Sequence, residues 1–171
     1  MNTIKKIALF VAATFVASNA MAQSKDIVDV AASSKDHTTL VAAVKAADLV
    51  ATLKTKGPLT VFAPTNAAFD KLPAGTVATL LKPENKAMLS GILTYHVVAG
   101  KLDAKAVLAA IKKGNGSVTL KTVGGGDLTA KLVKGKVVLT DAKGGTATVT
   151  ATDLEASNGV IHVINSVLLP E

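Results

Sequence analysis

The hydrophobic periodicity of this chain changes once, near its middle, and that change constrains the fold more than any other feature. From Asp26 to about Lys113 the apolar residues recur at helical spacing; from Gly114 to Pro170 they follow strand patterns broken by tight turns. Helices first and strands later argue for an α+β domain. Alternating βαβ units would need a crossover helix between successive strands. No segment repeats at a fixed period, so the pattern describes one copy of one domain.

In the first half, Asp26 and Asp36 are helix caps ahead of Ile27, Val28 and Val30 and of Leu40, Val41 and Val44. Asp48 to Lys54 is a further short helix, stopped at Gly57-Pro58. Leu59 to Ala63 is a short apolar strand ended by Pro64, and Thr65 or Asn66 caps the helix that carries Phe69 and Leu72. Met88, Leu89, Ile92 and Leu93 form one core-facing stripe. Tyr95 to Val98 is expected as a strand, and Asp103 caps a last helix with Val107, Leu108 and Ile111 inward. In the second half, strands are expected over Ser117–Val123, Leu128–Val133, Lys136–Thr140, Thr146–Thr152, Val160–Ile164 and Val167–Leu169. Lys134-Gly135 is a hairpin turn and Asn158-Gly159 a turn before the strand at Val160.

The first residues stand outside this pattern. Lys5 and Lys6 precede an uncharged apolar run from Ile7 to Ala17, and Ala20-Met21-Ala22 follows with small residues at the −3 and −1 positions. That order predicts a secretory signal peptide cleaved after Ala22. The run is too short for a bilayer, which takes roughly 20 apolar residues. The expected product is a secreted or periplasmic domain over residues 23–171 with no transmembrane anchor. Removing 22 of 171 residues leaves 149, enough to bury a core without staples. The chain has no cysteine, so packing alone must hold it.

All 19 basic residues are lysine; two leave with the leader and none of the 12 acids does, so the mature net charge is +5. Nucleic-acid readers favour arginine for bidentate contacts and aromatics for stacking. There is no arginine here, and only Phe62, Phe69 and Tyr95 remain as aromatics. No nucleic-acid partner is expected. His37, His96 and His162 lack ligand spacing, so no metal is expected, and no cofactor. There is no G-x-S-x-G elbow. Gly114-Asn115-Gly116 and Gly124-Gly125-Gly126 lead into strands, not into a helix N-terminus as a phosphate loop must. Asp141 and Asp153 flank one strand without forming a recognisable acid–base pair. No residue is assigned a catalytic role.

Three stretches in register then carry a resemblance: Thr60-Val61-Phe62-Ala63-Pro64-Thr65-Asn66-Ala67-Ala68-Phe69, Tyr95-His96-Val97-Val98, and Asn158-Gly159-Val160-Ile161-His162-Val163-Ile164-Asn165-Ser166-Val167-Leu168-Leu169-Pro170. In order and spacing they resemble the two conserved blocks and the central Tyr-His pair of the fasciclin domain family, over roughly Lys25 to Pro170. The resemblance implies a wedge-shaped β-sandwich with packed N-terminal helices. It implies an exported adhesion or protein-interaction module whose partner is an extracellular or envelope protein or polysaccharide. It also points to candidate recognition residues. In some animal members an Asp followed by Ile, just before the second block, resembles an integrin-recognition motif; the matching positions here are Asp153 and Leu154, with Leu in place of Ile. A similar role for the Tyr-His region maps to Tyr95 and His96. The competing structural account makes Leu154 core and Asp153 a turn acid. The competing functional account is a periplasmic small-ligand binding or sensor accessory protein, which would need an enclosed apolar pocket with a few polar groups.

Overall fold

A computed structural model describes residues 24–55 and 57–171. The leader expected over residues 1–22 lies outside the described residues. Helices α1 (Ile27–Ser33), α2 (Thr38–Ala46) and α3 (Val50–Leu53) come first, then strand β1 (Leu59–Pro64) and helices α4 (Asn66–Asp70), α5 (Thr76–Leu80) and α6 (Lys86–Tyr95). Strand β2 (Val97–Ala99) and helix α7 (Ala104–Lys113) lead into β3 (Ser117–Lys121), β4 (Asp127–Val133), β5 (Lys136–Thr140), β6 (Thr146–Ala156) and β7 (Gly159–Ile164). Caps set several of the helix starts. Asp26 accepts from the Asp29 amide while Asp29 reaches back to the Asp26 amide, Thr65 accepts from Ala68, and Asp103 accepts from Ala106 at 2.7 Å.

The strands form one seven-stranded sheet in the order β2-β1-β7-β6-β5-β4-β3. Only β1 and β7 are parallel; every other neighbouring pair is antiparallel. The two ends of the sheet meet. Val98 bridges Thr122 just beyond β3, and the Val123 amide donates to the Val97 carbonyl at 2.7 Å. The sheet is thus curled into a near-barrel, and β6, paired on both sides, makes it continuous.

Two cores follow from this arrangement. Val61, Ala63, Val97 and Ile161 pack against Ile27, Leu40, Val44, Leu89 and Leu93 of the helical layer. Phe62, Val98, Ile164 and Leu168 share the barrel interior with Leu120, Leu128, Leu139, Val149 and the inward side of α7. β1 and β7 are buried on both faces, which is why they read as nearly unbroken apolar runs.

Several expectations need correction. Asp36 does not cap α2: it lies inside a short 3-10 turn capped by Ser34, and the α2 N-cap is His37 with no side-chain hydrogen bond. Met88 does not join the core-facing stripe of Leu89, Ile92 and Leu93 but is 61% exposed. Tyr95 does not open a strand: α6 continues through it, His96 is its C-cap, and β2 starts at Val97. β6 does not stop at Thr152 but runs to Ala156, because bulges let it keep pairing with β7 beyond that residue. Val167 to Leu169 is not a strand, although Leu168 is fully buried. There the Leu168 amide is satisfied by a side chain, so no ladder is required.

Candidate recognition site

The β6 bulge positions Asp153 and Leu154. Ala151 faces Val163 and Leu154 faces Ile161, so three steps on β6 match two on β7, and one extra residue is accommodated at Thr152-Asp153. Asp153 takes it up in the left-handed region, at φ 59°. Asp is one of the few residue types that enter that region at low cost. The bulge aims its carboxylate at the start of α7, where Oδ1 accepts the Ala104 amide at 2.8 Å. Asp103 and Asp153 together therefore satisfy two of the free amides at that helix end, and their negative charge suits the positive end of the helix dipole. Leu154 lies on the face of the sheet that carries its partner Ile161, yet it is 39% exposed. Glu155 points the other way and pairs with Lys101 at 3.8 Å. The bulge thus presents an exposed apolar side chain beside an exposed acid with one oxygen committed to the scaffold.

Tyr95 and His96 are placed differently. Both are buried, and all their polar atoms are used inside the protein. The Tyr95 hydroxyl donates to the Asp127 carbonyl at 2.6 Å and accepts from the Ala142 amide at 3.1 Å. Burial pushes its pKa up. His96 Nδ1 donates to the Ile92 carbonyl at 2.7 Å, which fixes the tautomer and leaves Nε2 to accept from the Leu168 amide at 3.0 Å. Burial pulls the His96 pKa down to about 4, against the Ile92 hydrogen bond and the Asp141 charge, which act in the other direction. The structure therefore does not bring Tyr95 and His96 together with Asp153 and Leu154 on one exposed surface. The Tyr-His pair ties the end of α6 to the β4 start, the β5–β6 turn and the C-terminal segment.

The other histidines also have local duties. His37 Nδ1 lies 2.9 Å from Ser34 Oγ, and burial lowers its pKa. His162 stacks on Phe62 and donates from Nε2 to the Leu102 carbonyl at 2.6 Å. Among the described residues no group of three or more His, Asp or Glu is placed to hold a metal ion.

Sequence reasoning missed one organising residue. Asn158 was legible as a turn signal, but its side chain does more. Oδ1 accepts the Ile27 amide at 3.0 Å, and Nδ2 donates to the Leu53 and Thr55 carbonyls at 2.6 and 3.2 Å. It locks α1 and α3 to the β6–β7 turn. Those partners are more than a hundred positions away in sequence, and no local pattern could have announced them.

Between the helical layer and β1 lies an apolar cavity of about 180 Å³, lined chiefly by Ile27, Val44, Leu53, Val61, Leu93 and Ile161. His96 reaches its wall, but both ring nitrogens are already engaged; the Thr55 and Thr94 hydroxyls donate to backbone carbonyls. Thr52, an exposed residue, supplies the remaining lining hydroxyl, so few of the polar groups that orient a ligand face the cavity.

A curled sheet covered on one side by helices, plugged by a last helix, and carrying an exposed acid–apolar pair on a bulged strand defines an α+β domain of fasciclin type. The chain belongs to the fasciclin family: the Fasciclin domain profile matches residues 35–170. The Synechocystis protein sll1483 is 49% identical over 170 residues, spanning 99% of this chain and 84% of that protein. The immunogenic protein MPB70 of Mycobacterium bovis is 39% identical, over 86% of this chain and 70% of its own length. The cell surface glycolipoprotein MPB83 of the same species is 37% identical over 67% of this chain and 44% of its length. Among solved structures, a FAS1 domain pair from the insect cell adhesion molecule Fasciclin I superposes with a TM-score of 0.61 at 20% identity. The match covers 74% of this chain and 42% of that one and supports the fold. No helix among the described residues is long and apolar enough to cross a membrane.

Proposed function

We propose that this protein is an exported adhesion or protein-interaction module of the cell envelope or extracellular space, working by binding and not by catalysis. The observation that carries the reading is the β6 bulge, where Leu154 stands exposed beside Asp153 on a backbone held rigid by the α7 cap. A charged contact next to an apolar anchor on a rigid element is an economical recognition site, because little ordering entropy is lost on binding. Its partner is an envelope or extracellular protein or polysaccharide. A relative named for the cell surface and a fold neighbour named for cell adhesion support the same class.

The test separates recognition from scaffolding. Asp153→Asn keeps an oxygen for the Ala104 amide and tolerates the left-handed backbone, but removes the charge; Leu154→Ala removes the anchor. The parent should capture a defined partner from envelope and medium fractions, and each variant should capture less of it while unfolding at the parent's denaturant midpoint. Equal capture by all three proteins would place recognition elsewhere.

A further inference from the structure

The β4–β5 hairpin runs off the end of the sheet. On β4, Leu128 and Ala130 point into the barrel and are fully buried. Leu132 continues the same face two residues later, yet it is 41% exposed, and Val133 on the opposite face is 46% exposed. A ribbon that is wet on both faces has left its core behind. The two strands stay paired there: Leu132 faces Val137 and Val133 faces Lys136. Lys134 and Gly135 close the turn with φ of 50° and 77°, the primed geometry that matches strand twist. The projecting tip reads Lys131-Leu132-Val133-Lys134-Gly135-Lys136. Exposed apolar residues scattered singly need no explanation, but two adjacent ones on a projecting ribbon do.

The charge on the tip itself has one sign. Lys131, Lys134 and Lys136 flank the apolar pair, and all are exposed. Lys131 is cross-strand from Ser117, which follows closely on Lys112 and Lys113 at the end of α7, also exposed. No acid occurs between Ala104 and Gly126 or between Leu128 and Thr140. The ion pairs among the described residues use Lys54, Lys86, Lys101 and Lys121, and none of these five lysines.

We propose that this hairpin docks the protein on an anionic lipid surface. Leu132 and Val133 enter the headgroup layer while Lys131, Lys134 and Lys136 hold lipid phosphates. Lysine suits this task, since its long apolar stem lets the ammonium reach back to the headgroups as neighbouring residues go deeper. Lys112 and Lys113 extend the attractive field. A soluble polyanion would engage the lysines but would leave the apolar pair in water, so the pair selects lipid.

The protein has no tryptophan, which makes L132W a site-specific reporter at an already exposed position. With vesicles of equal parts phosphatidylglycerol and phosphatidylcholine, L132W emission should move to shorter wavelength and be quenched by brominated acyl chains. Salt at about 1 M should reverse this, as the screening length falls to about 3 Å. Pure phosphatidylcholine should give no shift. M88W, at a residue 61% exposed elsewhere, should give none with either vesicle. Adding K131Q, K134Q and K136Q to L132W should weaken partitioning by on the order of 100-fold. The proposal is overturned if L132W, unfolding at the parent's midpoint, shows no shift with the anionic vesicles. It is equally overturned if M88W shifts as much, or if dextran sulfate binds while the vesicles do not.

Discussion

Acidification should destabilise this protein through His96 at pH values above those at which its carboxylates titrate. In the native state the ring is neutral and fully enclosed, with Nε2 accepting from Leu168 and Nδ1 donating to Ile92. A proton on Nε2 would set one N–H against another and place a charge where no water reaches. The folded pKa is about 4, against 6.5 for the free side chain. The unfolded chain therefore takes up the proton first, and stability is full above about pH 6.5 and falls as the pH drops toward 4. Between pH 7.5 and pH 5 the loss from this residue amounts to about 2 kcal/mol. His37, whose pKa is also lowered by burial, adds in the same direction. Asp26, already below its ordinary value of 3.8, contributes only at lower pH. Denaturant unfolding at the two pH values, for the parent and for His96→Gln, isolates the histidine's share. The variant should be weaker at pH 7.5 but lose about 2 kcal/mol less on acidification. Equal pH slopes for parent and variant would refute the reasoning.

Other perturbations read different parts of the scaffold. Asp153→Ala loses the Ala104 hydrogen bond and forces a left-handed alanine, so it should cost about 1–2 kcal/mol in denaturant unfolding, while Asp153→Asn should cost little. A Cβ on Gly159 would overlap the Leu59 backbone on the parallel neighbour strand, so Gly159→Ala should abolish the soluble folded protein in an expression and circular dichroism assay. Gly91, an exposed residue inside α6, has open space around its Cβ position; Gly91→Ala should stabilise by about 0.5–1 kcal/mol in thermal unfolding. Asn158→Ala strips the partners from the Ile27 amide and the Leu53 carbonyl. It should cost about 2–4 kcal/mol in denaturant unfolding, with faster amide exchange in α1 showing where the loss falls.

What the sequence disclosed divides along physical lines. Features set by neighbours in the chain were legible: the caps at Asp26, Thr65 and Asp103, and the Lys134-Gly135 turn with the two strands it joins. Features set by distant partners were not. Val97 and Val98 looked like the continuation of a strand begun at Tyr95, because a helix end and a strand start share the same apolar letters. The bulge in β6 was invisible because Thr146 to Thr152 alternates well until β7 imposes its own register on Asp153 to Ala156. Of the candidate residues, Asp153 and Leu154 are exposed, on a strand that the sequence pattern had ended at Thr152. Tyr95 and His96, read from the same resemblance, belong to the interior, and only three-dimensional packing distinguishes the two pairs.

The position of β7 in the sheet has a consequence for when the fold can exist at all. The last strand of the chain is inserted between β1 and β6, the only parallel pairing joins it to the first strand, and its arrival completes both cores at once. Contacts of such long sequence separation are paid for in loop entropy before they return anything, and they make folding slow. A nascent chain lacking Gly159 to Ile164 has a β1–β2 pair with its helices on one side, β3 to β6 on the other, and no strand to join them. The molecule thus stays uncommitted until β7 has been made, and a protease acting on a chain that stops short of it would meet no closed sheet.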